Sequence, residues 1–276
     1  MADVIDAHHH LWRYSEAEYG WISPEMDVLK RDFLPDELWR EMQDAGVNGA
    51  VVVQARQSLN ETRWLLRHAE ENPFIRGVVG WLPLADGDVA NLLRELGEAE
   101  RLKGVRHIVQ AEADGFMLGE RFNSGVASLK ETGLVYDLLI HEGQMQEAAE
   151  FVKRHPEQVF VLDHLAKPKI KGEEIEPWRT NLFALAKAGN VYCKISGMVT
   201  EADWGDWTLE GLRPYLDGAM EAFGPERLMA GSDWPVCLVA SGYGLWWDVL
   251  RKRLQDVTLE QRDAILGETA KRVYRL

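Results

Sequence analysis

The sequence predicts a single-domain α/β protein, a (β/α)8 TIM barrel spanning residues 1–276, and three observations predict it. Eight short apolar, β-rich runs recur along the chain. Segments with helical periodicity separate them, the alternation of βα units around a parallel sheet. Residues suited to chemistry then stand at the C-terminal ends of several runs, where barrel enzymes assemble their sites. A length of 276 residues fits one such barrel, which takes about 250; an open doubly wound sheet alternates similarly but with fewer strands.

The eight runs are Val4–His8, Gly49–Gln54, Ile75–Trp81, Gly104–Val109, Val135–His141, Val159–His164, Val191–Ser196 and Leu228–Asp233. Between them, Glu61–Glu71, Val89–Leu102, Met145–His155, Trp178–Ala188 and Leu209–Phe223 place Leu, Ala, Val and Phe at spacings of three and four, as helices with one buried face do. Leu259–Leu276 reads as one or two closing helices. No sequence repeat, low-complexity tract or Gly/Ser-rich linker marks a second domain.

Two connections exceed a minimal turn. Leu11 to Pro35 carries Trp12, Tyr14, Tyr19, Trp21 and Pro24 and is expected over the barrel mouth. Pro235 to Tyr243 carries Gly and Ser with few charges, as a loop near bound ligand does. Ordinary packing on the rim is the alternative for both.

Composition narrows the function. With 46% hydrophobic residues, 28% charged residues and 11 Trp, the chain can bury a large core under a solvated surface. A formal charge of −14 opposes a phosphate-backbone partner and so excludes a nucleic-acid binder. Cys193 and Cys237 lie in apolar stretches and read as buried thiols of a reducing compartment. "MADVIDAHHHLW" lacks the basic start and apolar run of a signal peptide, and no apolar stretch approaches the roughly 20 residues that cross a bilayer. A soluble cytoplasmic protein is expected.

The chemistry begins at Asp6-Ala7-His8-His9-His10-Leu11-Trp12. Alternate residues of a strand point the same way, so His8 and His10 can converge on one ion while His9 faces elsewhere. Only three histidines occur, behind an apolar run, which disfavours an engineered tract. His141 ends "VYDLLIH", His164 ends "VFVLDH" and Asp233 ends "LMAGSD". Four histidines and a carboxylate from four strands can therefore meet above the core, although each alone reads equally as a hydrogen-bonded rim residue.

In these pieces the chain resembles the amidohydrolase superfamily, and more closely its branch of lactonases acting on sugar-acid and related lactones. "DAHHHLW", "VVVQARQS", "GVVGWLPL", "GVRHIVQ", "VYDLLIH", "VFVLDHLAKP", "CKISGMVTEADW" and "GSDWPVCL" carry the resemblance in order along almost the whole chain. It implies that His8, His10 and Asp233 match the first-strand ligand pair and eighth-strand carboxylate of a metal site, with His141 and His164 completing it. Relatives with two metals bridge them by a carboxylated Lys or a Glu on the fourth strand. Gly104-Val105-Arg106-His107-Ile108-Val109-Gln110 offers neither, so one divalent ion of the Zn²⁺ type is expected, a metal-independent lactonase being the alternative.

Opening a ring ester requires an activated water, a polarised carbonyl and a proton for the departing alkoxide. A bound ion can supply the first two; Asp233 is expected to take and return the proton, and His164 either to stabilise the oxyanion or to bind the ion. Of Arg106 and His107 only one can face inward, and His107 is the expected substrate contact. Lys194 is expected to meet a ligand carboxylate or Asp163. Gln54, Arg56 and Trp81 end the second and third runs, where an amide and an aromatic face suit a polyhydroxylated ring. Rival readings are a metal-dependent decarboxylase of an unsaturated acid on the same fold and a non-catalytic sugar-acid binder.

Overall fold

Strands joined by crossover helices lie buried on both faces, and the apolar runs pair accordingly. The computed structural model describes residues 3–86, 89–96 and 99–276. Its strands are β1 (Ile5–His9), β2 (Gly49–Val53), β3 (Ile75–Gly80), β4 (Leu102–His107), β5 (Val135–Leu138), β6 (Phe160–Leu162), β7 (Val191–Ile195) and β8 (Leu228–Ala230). They form one sheet in chain order, each neighbouring pair parallel. β8 then returns to β1. A parallel bridge joins His9 to Trp234, and the amides of His10 and Asp233 donate to the carbonyls of Trp234 and His8 at 2.6 and 2.8 Å.

All eight expected strands are present, but β5, β6 and β8 end at Leu138, Leu162 and Ala230. His141, His164 and Asp233 therefore stand on the segments leaving the strands rather than within them. β4 starts at Leu102, where the sequence suggested a helix still running; α3 covers Val89–Leu96, and positions 97 and 98 lie outside the described residues. The expected helices at α2 (Leu59–Glu71), α5 (Met145–Arg154), α6 (Trp178–Ala186) and α7 (Leu209–Phe223) form the outer layer. It also contains α1 (Pro35–Ala45), α4 (Glu120–Ala127) and α8 (Tyr243–Arg253), which periodicity alone did not single out. Trp178, Trp246 and Trp247 are buried in that layer, and fully burying an apolar side chain contributes about 1.5–3 kcal/mol each.

The barrel interior has two halves. Ile5, Ala7, Val51, Val53, Val79, Val161 and Met229 form an apolar cluster, closed from below by Ala270, Val273 and Tyr274 of the last helix, α10 (Thr269–Tyr274). A π-helical turn, Ala264–Glu268, separates α10 from α9 (Leu259–Asp263). Gly267 in that turn lies so close to the start of β1 that a Cβ there would sit 2.0 Å from the Asp3 carbonyl oxygen. Above this plug, Arg106, Asp137, Asp163 and Lys194 from neighbouring strand positions form a buried charged layer. β1 carries an extra residue between Asp6 and His9 relative to β2, a bulge of the kind that re-aims side chains beside active sites. Among the described residues no helix is long and apolar enough to cross a membrane.

Candidate active site

His8 and His10 leave the bulge pointing into the barrel mouth, with their Nε2 atoms 3.2 Å apart. The His10 Nδ1–H donates to the Val53 carbonyl at 2.8 Å, which fixes the tautomer and leaves the Nε2 lone pair facing the site. Asp233 Oδ1 lies 3.3 Å from His10 Nε2 and 3.8 Å from His8 Nε2. These separations are near the roughly 3.3 Å between two ligands of one tetrahedral ion. Two acceptor nitrogens and a carboxylate oxygen in contact repel one another unless a cation or proton lies between them, so this donor set fits a divalent metal.

The seam between β8 and β1 is what brings Asp233 here. Asp6, buried behind the histidines, accepts from the Ser232 amide and hydroxyl at 2.8 and 2.6 Å and from Tyr243 Oη at 3.1 Å. Burial pushes its carboxyl up to about 6. Asp233 follows with a left-handed φ of 58°. Burial opposes its ionisation, yet its carboxyl lies below the usual carboxylate range; since His164 and His10 are neutral here, we assign the effect to the Lys167 ammonium. Asp233 is thus ionised and free to accept a proton.

His9 faces away from this cluster. Its imidazole is fully buried, and burial pushes its pKa down to about 3.

His164 reaches the mouth differently. His164, Leu165, Ala166 and Lys167 have φ of 53, 53, 59 and 52°, one left-handed turn made without glycine. Such backbone costs roughly 1–2 kcal/mol per residue, and strain of this kind persists where the surroundings over-determine it. Leu165 and Ala166 are fully buried, while His164 and Lys167 both line the mouth cavity. Ser196 Oγ lies 2.9 Å from His164 Nδ1, and burial pushes this imidazole down to about 4. A neutral His164 accepting from Ser196 turns an Nε2–H towards Asp233 Oδ1, 3.8 Å away.

His8, Asp163 and His164 form a second convergent group. Asp163 Oδ2 accepts from Arg106 Nη1 at 3.0 Å, and Lys194 Nζ is 3.0 Å from Oδ1. Two fixed cations already compensate that carboxylate, so a dication there meets like charge. Burial would raise Asp163, but Lys194, His8 and Arg106 hold it well below the usual range; since burial keeps His8 itself neutral, we assign the effect to Lys194 and Arg106. His8 Nδ1 lies 3.2 Å from Lys194 Nζ and 3.3 Å from Asp163 Oδ1. Metal ligation through Nε2 requires Nδ1–H, for which Asp163 is the acceptor in place.

Several expected site residues are placed elsewhere. His141 joins neither group: it is exposed and begins the helical turn after β5, because the strand ends three residues earlier, at Leu138. Arg106, not His107, faces inward. His107 stacks on Phe116, donates to Glu112 Oε1 at 2.8 Å and accepts from Trp81 Nε1 at 3.4 Å, so neither His107 nor Trp81 lines the cavity. Gln54 is fully buried and clamps Arg106, accepting from it at 3.1 Å and donating to its carbonyl at 3.2 Å. Lys194 is sealed inside the barrel on Asp137 and Asp163. Arg56 pairs with Glu18 and Glu61 on the rim.

The cavity above the cluster measures about 320 Å³. Its lining combines His10, Arg106, His164, Lys167 and Asp233 with the apolar side chains of Trp21, Ile108, Leu139 and Val236. Trp21 and Val236 come from the two long connections expected near the ligand. A wider cleft of about 830 Å³ lies on the outer layer between α6 and α7, but no histidine lines it. Sequence reasoning missed Lys167 and Ser196, and also Gln110, which lines the same cavity. Lys167 sits three positions after His164 in "DHLAKP", a spacing that signals a shared face only once the turn is known.

An amidohydrolase family signature spans residues 5–276. The chain belongs to the amidohydrolase family. Within it, this amidohydrolase is 39% identical over 284 residues to an L-fucono-1,5-lactonase of Burkholderia multivorans, covering 99% of this chain and 96% of that protein. An L-fucono-1,5-lactonase of Burkholderia ambifaria is 32% identical over 250 residues, covering 89% of this chain and 86% of that one. The crystal structure of a Burkholderia multivorans amidohydrolase with bound Zn superposes with a TM-score of 0.96 at 40% identity, covering both chains fully. Decarboxylases at 14% identity share the fold alone.

Proposed function

We propose that this amidohydrolase opens a sugar-acid lactone of the L-fucono-1,5-lactone kind by adding water to the ring ester. The observation that carries the reading is the convergence of His8, His10 and Asp233 beside a cavity of about 320 Å³ whose lining includes Arg106 and Lys167 as well as Trp21, Ile108, Leu139 and Val236. The two lactonase relatives support it by near-full-length similarity. His8, His10 and Asp233 would hold the metal, for which we take zinc. When bound, such an ion supplies Lewis acidity for the ester carbonyl and for water.

The chain's own groups supply the rest. Asp233, kept ionised, takes a proton from the attacking water and later gives it to the departing ring oxygen. His164, neutral and oriented by Ser196, offers its Nε2–H to the oxygen on which charge develops. Gln54 and Asp163 hold Arg106 beside His8, where its Nη1 lies 3.4 Å from Nε2. Trp21 and Val236 give the cavity an apolar lining. We infer action in the cytoplasm as one domain, which two free, buried thiols favour.

The test is a pH-indicator screen of L-fucono-, L-rhamnono-, L-galactono- and D-arabinono-lactones, with metal analysis of the same protein. Acid release equal to lactone consumed, about one divalent ion per chain and loss of turnover on chelation are expected. Asp233→Asn should lower kcat by roughly 10²–10⁴-fold. Carbon dioxide release from an unsaturated acid, with no lactone opened, would favour the decarboxylase reading. Ligand binding without turnover would favour the sugar-acid binder.

A further inference from the structure

Lys167 has an unusual position for an ammonium. Its side chain is 19% exposed and lines the cavity beside His164, yet no hydrogen bond to its Nζ occurs among the described residues. The nearest carboxylate oxygen is Glu201 Oε1 at 3.8 Å, beyond hydrogen-bonding distance. Three donors are thus held near the reacting centre with little to receive them. The left-handed turn explains why: with three to four residues per turn, His164 and Lys167 share one face while Leu165 and Ala166 anchor the other in the core. A half-buried ammonium without a hydrogen-bonded counter-ion gains more from an anion than from a neutral oxygen.

The lactone substrate is neutral, whereas the tetrahedral intermediate and the product carboxylate are anions. Resting on the lactonase reading, we propose that Lys167 is a catalytic residue that binds the negative charge formed as the ring ester opens, and later the carboxylate of the product. Water's oxygen bonds to the carbonyl carbon as one of its protons passes to Asp233; the ring C–O bond then breaks, the alkoxide takes that proton, and the new carboxylic acid releases the other to solvent to leave the carboxylate. Lys167 keeps its own protons throughout. Because the interaction strengthens only after attack, it acts on kcat rather than on substrate affinity.

The experiment measures calorimetric binding of L-fuconate, the open-chain acid, to the holoenzyme and to Lys167→Met, Lys167→Arg and Glu201→Gln, alongside kcat and KM for the lactone. Met keeps the Cβ of Lys, so the cost of the left-handed backbone is unchanged, and thermal melts check the fold. Lys167→Met should weaken L-fuconate binding at least about tenfold and lower kcat by about 10²–10³-fold, with KM within about threefold. Lys167→Arg should recover part of both, and Glu201→Gln should tighten L-fuconate binding. Equal binding by wild type and Lys167→Met, or a raised KM at unchanged kcat, overturns the proposal. Failure of the wild type to open any lactone overturns the lactonase reading instead, and the binding comparison still decides the role of Lys167.

Discussion

Gly197 contributes no side chain to the site, yet it sets how closely two acting groups approach. It follows Ser196 at φ 65°, and a Cβ there would lie 2.6 Å from His164 Nδ1 and 3.2 Å from Asp233 Oδ2. Gly197→Ala should push the imidazole off Ser196 and strain the backbone, lowering kcat by about 10²-fold and stability by roughly 1–2 kcal/mol, read from steady-state kinetics and thermal melts. At this scale the sequence was partly legible. Strand alternation made the His8 and His10 pair readable. The choice between Arg106 and His107 was not, because hydrophobic pattern cannot orient two adjacent polar residues; only the carboxylate of Asp163 and the amide of Gln54 draw Arg106 inward. Lys194 was left open between a ligand and Asp163, and the structure pairs it with Asp163 and, in addition, Asp137. A charged residue inside the apolar run "VYDLLIH" was the signal for Asp137.

At the level of elements, the segments leaving the strands do most to shape the site. The β2–α2 connection folds back on its helix: Glu61 Oε2 accepts from the amides of Arg56 and Ala55 at 2.8 and 3.2 Å, while Ser58 caps α2. Burial outweighs these bonds and pushes the Glu61 carboxyl up to about 7. The folded state therefore keeps this proton between pH 4.5, the ordinary value, and about 7, where the unfolded chain has lost it. Stability falls as pH rises through that window, by up to about 3 kcal/mol from this group. Glu61→Gln should flatten the fall, and denaturant melts of both proteins from pH 4.5 to 7.5 check it; an equal slope would exclude Glu61 as its source. Helices with strong periodicity were readable from sequence. The left-handed turn at His164–Lys167 was not, because no glycine or asparagine announces it, and packing of Leu165 and Ala166 imposes it instead.

On the scale of the molecule, the number and order of strands were legible because each buried parallel strand is a short apolar run, and eight such runs close a sheet. The charged layer inside the barrel broke no run badly enough to hide it. Tyr274 of the last helix donates its hydroxyl to Asp137 at 2.8 Å, and Asp137 and Asp163 share Lys194, which touches His8. Burial pushes Asp137 up to about 6 even beside Lys194. Tyr274→Phe leaves this carboxylate a partner short and should cost about 1–2 kcal/mol with a smaller loss of kcat than Gly197→Ala. Metal removal should act globally too. Bound metal would cross-link the first and eighth strands, so chelation should lower Tm and speed amide exchange at His10 and Asp233, whose amides join those strands.

That junction gives the chain an all-or-nothing character. His8 and His10 belong to the opening of the polypeptide and Asp233 to a stretch more than two hundred residues later, so no contiguous portion of a barrel cut between them holds the reacting groups. Two complementary pieces, severed in the turn at exposed Gly143 and then mixed, should be inert apart and regain turnover only as they anneal into a full ring.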